Sequence, residues 1–165
     1  MQLINRIALI TGAGRGIGRA IAECFAGDGC DVALMARSAE ELQAVAEQIR
    51  GMGRRALVLP CDVRQKERVK ECVAAVHTAL GPVDILVNNA GFAKFGTFPD
   101  LTTEDWENTL QINLMGAVHC THAVLPSMME RRRGHIVFVS SVAGLKGIER
   151  QTAYCASKHA VLGLT

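Results

Sequence analysis

Residues 7–18 read IALITGAGRGIG, a short aliphatic run followed directly by a glycine-rich turn. The run has the length and composition of a strand buried in a parallel sheet, and the residues from Gly18 onward suit a helix. A glycine-rich turn between a strand and a helix presents backbone N–H groups and the positive end of the helix dipole to an anion. Such a turn is often only a tight connection. Its position after the first strand favours a pyrophosphate site for a dinucleotide.

The rest of the chain alternates short aliphatic runs with segments that suit helices. The predicted strands are Ile7–Ile10, Asp31–Ala36, Ala56–Leu59, Ile85–Val87 and Ile136–Val139. The predicted helices are Gly18–Ala26, Ala39–Arg50, Lys66–Leu80, Glu104–Arg132 and a last helix that begins near Thr152. This alternation predicts an α/β fold, a Rossmann-type doubly wound parallel sheet with helices on both faces. A length of 165 residues suits a single domain, 1–165, with five visible strands.

Side chains near the predicted helix ends support these bounds. Ser38 followed by Glu41 is the pattern of a capping box at the start of the second helix. Gly51 and Gly81 are placed to end the second and third helices, and Pro82 strengthens the later of these two signals.

The composition excludes several classes of protein. With 49% hydrophobic and 21% charged residues, the chain is not a disordered one. Its net charge of +2 offers no basic surface of the kind that binds nucleic acid or an acidic membrane. The six cysteines are scattered without a CxxC pair, and the N-terminus lacks a signal-peptide pattern. We therefore expect reduced thiols and a cytoplasmic protein.

One stretch, Asn108–Met129, contains no acidic or basic residue and is long enough to span a bilayer. It includes a set of polar or helix-breaking residues that hydrocarbon tolerates poorly, namely Asn108, Gln111, Asn113, His119, His122 and Pro126. We therefore expect no membrane span, and instead a helix buried in the core or in a subunit interface. His119 and His122 lie one helical turn apart without companion ligands, so we expect no metal site.

The end of the second predicted strand indicates the choice of dinucleotide. An acidic residue there binds the 2′-hydroxyl of the adenosine ribose of NAD, whereas an arginine accommodates the 2′-phosphate of NADP. The strand ends in Ala36 and is followed by Arg37, and Arg15 in the glycine turn offers a second guanidinium. We expect a preference for NADP(H). The alternative is that both arginines are solvated surface charges.

The chain's only tyrosine, Tyr154, is followed four residues later by Lys158. In a helix this spacing places both side chains on one face. A phenol is a weak acid at neutral pH, and a neighbouring ammonium makes it a better acid–base catalyst by stabilising its anion. The pair therefore indicates a catalytic site. The alternative is an ordinary half-buried tyrosine beside a surface lysine.

A family resemblance is carried by six features in chain order: TGAGRGIG at 11–18, CDV at 61–63, NNAG at 88–91, Asn113, Ser140–Ser141 and YCASK at 154–158. On these residues the chain resembles the short-chain dehydrogenase/reductase family over essentially its whole length. The TGxxxGxG spacing is that of the single-domain branch. The stretches VSSVAG and YCASK, with Gly147 and Gln151, are similar to those of 3-oxoacyl-carrier-protein reductases.

The resemblance implies a catalytic set of four residues. Tyr154 is expected to act as general acid/base toward the substrate carbonyl or hydroxyl. Lys158 is expected to stabilise the tyrosine anion and to hold the nicotinamide ribose. Ser141 is expected to hydrogen-bond the substrate oxygen, and Asn113 to kink its helix and help hold a water in a proton relay.

The resemblance also implies which residues bind the cofactor. They are Gly12, Arg15, Gly16, Ile17, Gly18, Arg37, Asp62, Val63, Asn89, Ala90, Gly91, Tyr154 and Lys158. Within this set, Asp62 and Val63 are expected to contact adenine, and residues 89–91 to lie beneath the adenosine ribose.

Together these features predict an NADP(H)-dependent oxidoreductase that transfers hydride reversibly between nicotinamide and a carbonyl or secondary alcohol. The expected partners are a small-molecule substrate and, if the full chain is present, further copies in a homo-oligomer. The alternative is an NADP(H)-binding fragment or sensor without turnover, because the dinucleotide fold has six strands and the family continues beyond the catalytic helix, within which this chain ends. A Rossmann-like methyltransferase would share the glycine turn without needing Tyr154, Lys158 and Ser141 together.

Overall fold

The structure, a computed structural model, describes residues 2–165, and this range contains a five-stranded parallel sheet. The strands are β1 (Ile7–Thr11), β2 (Asp31–Ala36), β3 (Ala56–Pro60), β4 (Ile85–Asn88) and β5 (His135–Phe138). They lie in the order β3-β2-β1-β4-β5. The order reverses at β1, which pairs with β2 on one side and with β4 on the other. In open α/β sheets a crevice forms at such a reversal, outside the carboxyl ends of the strands.

Helices connect the strands of the sheet. Within residues 2–165 the α-helices are α1 (Gly16–Gly27), α2 (Ala39–Gly51), α3 (Lys66–Ala79), α4 (Thr103–Leu110), α5 (Gly116–Glu130) and α6 (Thr152–Leu162). A π-helical segment, Gln111–Met115, joins α4 to α5. Short 3₁₀ turns lie at Phe98–Asp100 and Val142–Gly144.

The core consists of two layers, one on each face of the sheet. Successive side chains of a strand point to opposite faces, so Leu9 packs with Val73 of α3 and Val124 of α5, whereas Ile10 packs on the other side with Val45 of α2. All five residues of β1 are buried, because helices cover the sheet on both faces. This architecture confirms the predicted fold class.

The predicted helix Glu104–Arg132 corresponds to α4, the π-helical segment and α5, and it ends at Glu130, two residues earlier than predicted. The π-helical segment contains Asn113, the residue expected to kink this helix. The N–H of Gly116 donates to the carbonyl of Gln111, five residues earlier, which widens the turn. A Cβ on Gly116 would lie 2.6 Å from Cγ2 of Val63, so the chain passes this close to the end of β3 only at a glycine. Apolar periodicity cannot reveal such a segment, because a π turn is helical and changes the period by a single residue.

The predicted helix ends were partly correct. After α3, Gly81 has φ +119° and its N–H donates to the carbonyl of Val76 at 3.1 Å, as a helix-ending glycine should. After α2 the left-handed residue is Gly53, with φ +78°, and its N–H donates to the carbonyl of Arg50 at 2.9 Å. The helix ends at Gly51, as predicted, but the left-handed residue that follows it is Gly53 and not Gly51 itself.

The predicted capping box of α2 is only half formed. Ser38 Oγ accepts a hydrogen bond from the N–H of Glu41 at 3.2 Å. No described contact returns from the Glu41 carboxylate to the backbone of Ser38, because that side chain lies against Gly14 instead. β5 also begins one residue earlier than predicted, because the N–H of His135 donates to the carbonyl of Asp84 at 2.9 Å.

The uncharged stretch Asn108–Met129 is divided among the end of α4, the π-helical segment and α5. Over the described range 2–165, no helix combines the length and apolarity needed to cross a membrane. One side of α5 packs in the core, where Cys120 and Val124 are buried, whereas Leu125 and Met129 are 37% and 67% exposed. All six cysteines are free thiols.

Candidate active site

The glycine turn after β1 adopts a conformation that only glycine supports at several positions. Gly12 and Gly16 have φ +65° and +57°, in the left-handed region that side chains disfavour. Gly18 has an ordinary φ, but a Cβ there would collide with the carbonyl oxygen of Gly12 and with Asn89 Nδ2. The turn therefore closes tightly onto the start of α1 and leaves its backbone uncovered at Gly16, where a Cβ would meet nothing within 4 Å.

Hydrogen bonds join the glycine turn to the chain that follows β4. The Thr11 hydroxyl donates to the carbonyl of Val87 at 3.3 Å and accepts from the N–H groups of Asn89 and Ala90, both at 2.9 Å. The Asn89 side-chain amide donates to the carbonyls of Thr11 and Gly12, at 2.9 and 3.3 Å. These bonds set the distance between the two walls of the crevice at the sheet reversal.

A cavity of about 520 Å³ occupies this crevice, within the size range of small-molecule and cofactor sites. It brings together ten of the residues predicted to bind the cofactor: Gly12, Arg15, Gly16, Ile17, Arg37, Asp62, Val63, Asn89, Ala90 and Gly91. Gly18 does not line the cavity and lies behind it, against Gly12. Ser38, Glu41 and Phe92 line the cavity without having been predicted.

The carboxylate of Asp62 at the end of β3 is held from outside the cavity. The Nε of Arg64 donates to both of its oxygens, at 3.1 and 3.0 Å, and Nη2 donates to Oδ2 at 2.6 Å. These hydrogen bonds lower the pKa of Asp62, so the carboxylate is ionised at neutral pH. Arg64 also donates to Asn108 Oδ1 at 2.8 Å and thereby ties this wall of the cavity to α4.

Tyr154 lies in the first turn of α6, and Lys158 lies one turn later on the same face. The Lys158 ammonium is 5.7 Å from the centroid of the Tyr154 ring. Lys158 is only 4% exposed, and its Nζ donates to the carbonyl of Val139 at 2.7 Å. Burial lowers the pKa of Lys158. No carboxylate among residues 2–165 lies within ion-pair distance of this ammonium.

The two serines after β5 have different surroundings. Ser140 Oγ donates to the carbonyl of Lys158 at 3.1 Å and so fastens the loop to α6. Ser141 Oγ accepts from the N–H of Ala143 at 3.1 Å, and Ser141 is half-buried. The Ser141 hydroxyl proton is not committed to a partner among the described residues, so it is free to donate to a ligand.

Asn113 lies in the π-helical segment and is 2% exposed. Its side-chain oxygen accepts from the N–H of Phe92 at 2.7 Å, and its Nδ2 donates to the carbonyl of Phe92 and to Ser157 Oγ, both at 2.9 Å. Ser157 Oγ in turn donates to the carbonyl of Tyr154 at 2.7 Å. The amide therefore links the loop after β4 to α6.

None of the four predicted catalytic residues lines the cavity. Gly91 is the junction, because it lines the cavity and a Cβ there would lie 3.6 Å from Asn113 Oδ1 and 3.8 Å from Lys158 Nζ. The structure thus places the Tyr154–Lys158 pair next to the end of the crevice formed by the residues after β4.

Comparison with known proteins identifies the family. The model of the short chain dehydrogenase family matches residues 6–165. The chain belongs to this family. Oxidoreductase UcpA of Salmonella typhimurium is 41% identical to this short-chain dehydrogenase over 165 residues. The aligned part covers 99% of this chain and 62% of UcpA.

Other members of the family show similar identity. The 3-oxoacyl-[acyl-carrier-protein] reductase FabG of Staphylococcus epidermidis is 37% identical over 163 residues, with 98% of this chain and 67% of FabG covered. A crystal structure of a putative short-chain alcohol dehydrogenase from Sinorhizobium meliloti superposes with a TM-score of 0.96 at 40% identity. An NAD+-bound xylitol dehydrogenase superposes with a TM-score of 0.97 at 36% identity. This chain covers 65% and 64% of those two structures, and about two thirds of the curated relatives.

Several residues that shape the site were not predicted from the sequence of this short-chain dehydrogenase. Thr11 precedes the glycine turn directly, and a threonine at a strand end beside such a turn is a usable signal. Ser157 stands three residues after Tyr154, the spacing at which a serine bonds the carbonyl one turn earlier. Arg64 and Phe92 carry no local signal, because their partners come from distant segments of the chain.

Proposed function

We propose that this short-chain dehydrogenase is an NADP(H)-dependent oxidoreductase that transfers hydride between nicotinamide and a carbonyl or secondary alcohol. The observation that carries the proposal is the buried Lys158 ammonium, which lies beside Tyr154 with a backbone carbonyl as its described partner. Burying a cation without a carboxylate is costly, so its presence next to the chain's only tyrosine favours a catalytic purpose.

The residues of the cavity fit a dinucleotide. The N–H groups of the glycine turn and the start of α1 would hold the pyrophosphate, and Asp62 and Val63 would hold the adenine. The crowding at Gly12 and Gly18 keeps the backbone close enough for that approach. When bound, the cofactor supplies or accepts the hydride.

The residues of α6 and the loop after β5 would handle the proton and the substrate oxygen. In reduction, Tyr154 donates its hydroxyl proton to the carbonyl oxygen, and the Lys158 ammonium stabilises the resulting tyrosinate. Ser141 donates a hydrogen bond to the same substrate oxygen. Asn113 acts through Ser157, which holds the backbone of Tyr154 in place. In oxidation the same residues act in the opposite direction.

The preference for NADP(H) is supported by the end of β2. Ala36 and Arg37 stand there without an acidic residue, and Arg15 lines the same cavity. Both guanidiniums suit a phosphate. We expect Arg37→Asp to weaken NADPH binding about a hundredfold, because it replaces a charge-assisted hydrogen bond with repulsion. NADH binding, measured in the same titrations, serves as the control. An unchanged ratio of the two affinities would contradict the NADP(H) preference.

The proposed partner is a small-molecule ketone or alcohol, and the similarity to FabG makes a 3-oxoacyl thioester the first substrate to assay. The free thiols support a cytoplasmic location. The exposed apolar side chains Leu125 and Met129 on α5 support a homo-oligomer. A stable monomer in sedimentation at micromolar concentration would contradict the oligomer.

A steady-state assay of NADPH oxidation with a panel of ketones and 3-oxoacyl thioesters tests the reaction, with cofactor binding measured beside it. We expect Tyr154→Phe to lower kcat at least about a hundredfold with NADPH binding retained, because the variant lacks the proton that Tyr154 transfers. Turnover by that variant at the wild-type rate would overturn the role of Tyr154. NADPH binding without turnover of any carbonyl would favour the alternative, a nucleotide-binding protein, which is in keeping with catalytic residues that do not line the cavity.

A further inference from the structure

Four charged side chains line the cavity: Asp62, which pairs with Arg64, and Arg15 in the glycine turn, Arg37 after β2 and Glu41 in the first turn of α2. Arg15, Arg37 and Glu41 are all exposed. Within residues 2–165, none of them has a partner of opposite charge within ion-pair distance. The cavity therefore presents two uncommitted cations and one uncommitted carboxylate to whatever binds there.

The position of the Glu41 carboxylate follows from the start of α2. Ser38 Oγ accepts a hydrogen bond from the N–H of Glu41, but the Glu41 carboxylate accepts none from the N–H of Ser38. The carboxylate is therefore not used in capping. Its side chain lies on the glycine turn instead. A Cβ on Gly14 would stand 2.9 Å from Glu41 Cβ and 2.8 Å from Oε2, so only a glycine allows this approach. The neighbouring Glu40 is also exposed but does not line the cavity.

We propose that Glu41 is a selectivity residue that weakens the binding of the 2′-phosphate of NADP(H) and thereby limits the preference for NADP(H) over NAD(H). The inference rests on the proposed dinucleotide site. The 2′-phosphate is expected between Arg15 and Arg37, and the Glu41 carboxylate, which lines the same cavity, would repel it. NAD(H) carries a 2′-hydroxyl at the same point, which a carboxylate accepts without repulsion. Glu41 therefore acts against one cofactor and not against the other.

The test compares the affinities of NADPH and NADH for the wild type, Glu41→Gln and Glu40→Gln. Both variants remove one negative charge from the first turn of α2, so they change the net charge and the interaction with the helix dipole alike. We expect Glu41→Gln to bind NADPH about five-fold more tightly, the effect of an exposed like-charge contact of about 1 kcal/mol. NADH binding should stay within about two-fold. Glu40→Gln should leave both affinities unchanged, and the gain in Glu41→Gln should shrink at high salt.

Three results would overturn the inference. Equal tightening of NADPH and NADH would mean that Glu41 acts on the pyrophosphate that both share. An equal effect of Glu40→Gln would mean that only net charge matters, and no effect of either variant would mean that the carboxylate does not reach the phosphate. Loss of turnover with nucleotide binding intact overturns the proposed reaction alone. Absence of binding of either nucleotide overturns both proposals.

Discussion

Lys158 is held in a place that offers its ammonium a carbonyl oxygen and an aromatic ring but no described carboxylate. The cation loses most of its hydration there, which disfavours the charged form of the side chain. The fold tolerates this unfavourable burial of charge because hydrogen bonds hold α6 on two sides. Ser140 bonds it to the loop after β5, and Ser157 bonds it to Asn113. A destabilising group at a proposed catalytic position is the pattern expected of a site kept for function rather than for stability.

Burial of Lys158 predicts a pH dependence of stability. The pKa of Lys158 lies below its ordinary value of 10.5 in the folded chain. At pH values between the lowered pKa of the folded chain and 10.5, the unfolded chain binds more protons than the folded chain. The free energy of unfolding therefore rises with pH in that window. Lys158→Met lacks this contribution. We expect the stability of the wild type relative to the variant to increase as the pH rises toward 10.5.

The measurement is thermal unfolding by circular dichroism at several pH values from neutral to alkaline. Lys146→Met is the matched control, because Lys146 is exposed and its replacement should leave the pH dependence as in the wild type. A constant difference between the wild type and Lys158→Met over this range would show that burial does not disfavour the ammonium.

The connection from β1 to α1 combines a strand end, a tight turn and a helix start in one short segment. Gly18 is the point at which α1 passes closest to the turn, against the carbonyl of Gly12. We expect Gly18→Ala to destabilise the fold by about 2–3 kcal/mol, because neither the backbone at Gly12 nor the bonded amide of Asn89 can move away freely. It should also weaken nucleotide binding by displacing the turn.

Gly27→Ala in the last turn of α1 is the control for this prediction. A Cβ there meets nothing within 4 Å, so the change should be neutral or stabilise the helix by up to about 1 kcal/mol. Urea unfolding of both variants gives the comparison. Equal stabilities of the two alanine variants would mean that the turn is not as closely packed as the contacts at Gly18 indicate.

The elements differ in how well the sequence predicts them. β1, β2 and α2 follow from local patterns, because buried parallel strands are continuous aliphatic runs and Ser38 marks a helix start. The π-helical segment does not follow from any local pattern. It depends on Asn113 bonding the loop after β4 and on Gly116 meeting Val63, and these groups lie far apart in the chain.

The sheet as a whole is held at its amino edge by buried carboxylates, opposite the cavity. Asp31 at the start of β2 accepts from the backbone N–H and the Nε of Arg55, at 3.1 and 2.8 Å, and pairs with Arg54 at 2.6 Å. Burial alone raises the pKa of Asp31, but the hydrogen bonds from Arg55 outweigh it and the pKa is lowered. Asp84, just before β4, accepts hydrogen bonds from the N–H of Ile7 in β1 and from Arg131, at 3.2 and 3.1 Å.

A lowered pKa of Asp31 means that its contribution to stability is present at neutral pH and is lost as the pH falls below about 4. We expect Asp31→Asn to lower the free energy of unfolding by about 2 kcal/mol at neutral pH, because buried charge-assisted bonds are replaced by weaker ones. The difference should vanish in acid. Asp28→Asn, at a half-buried site without a described side-chain partner, should change stability by less than about 0.5 kcal/mol. Urea unfolding at pH 7 and in acid checks both, and a deficit of Asp31→Asn that persists in acid would contradict the account.

Local sequence patterns were sufficient to predict the parallel α/β fold, the glycine turn and the Tyr154–Lys158 pair. Each depends on residues within single strands, turns or helices, where the spacing of the residues determines which way their side chains point. The burial of Lys158 and the meeting of Glu41 with Gly14 became visible only in the folded molecule. Both result from packing between segments that are distant in sequence, because the sheet order and the close contacts at glycines set which groups face one cavity.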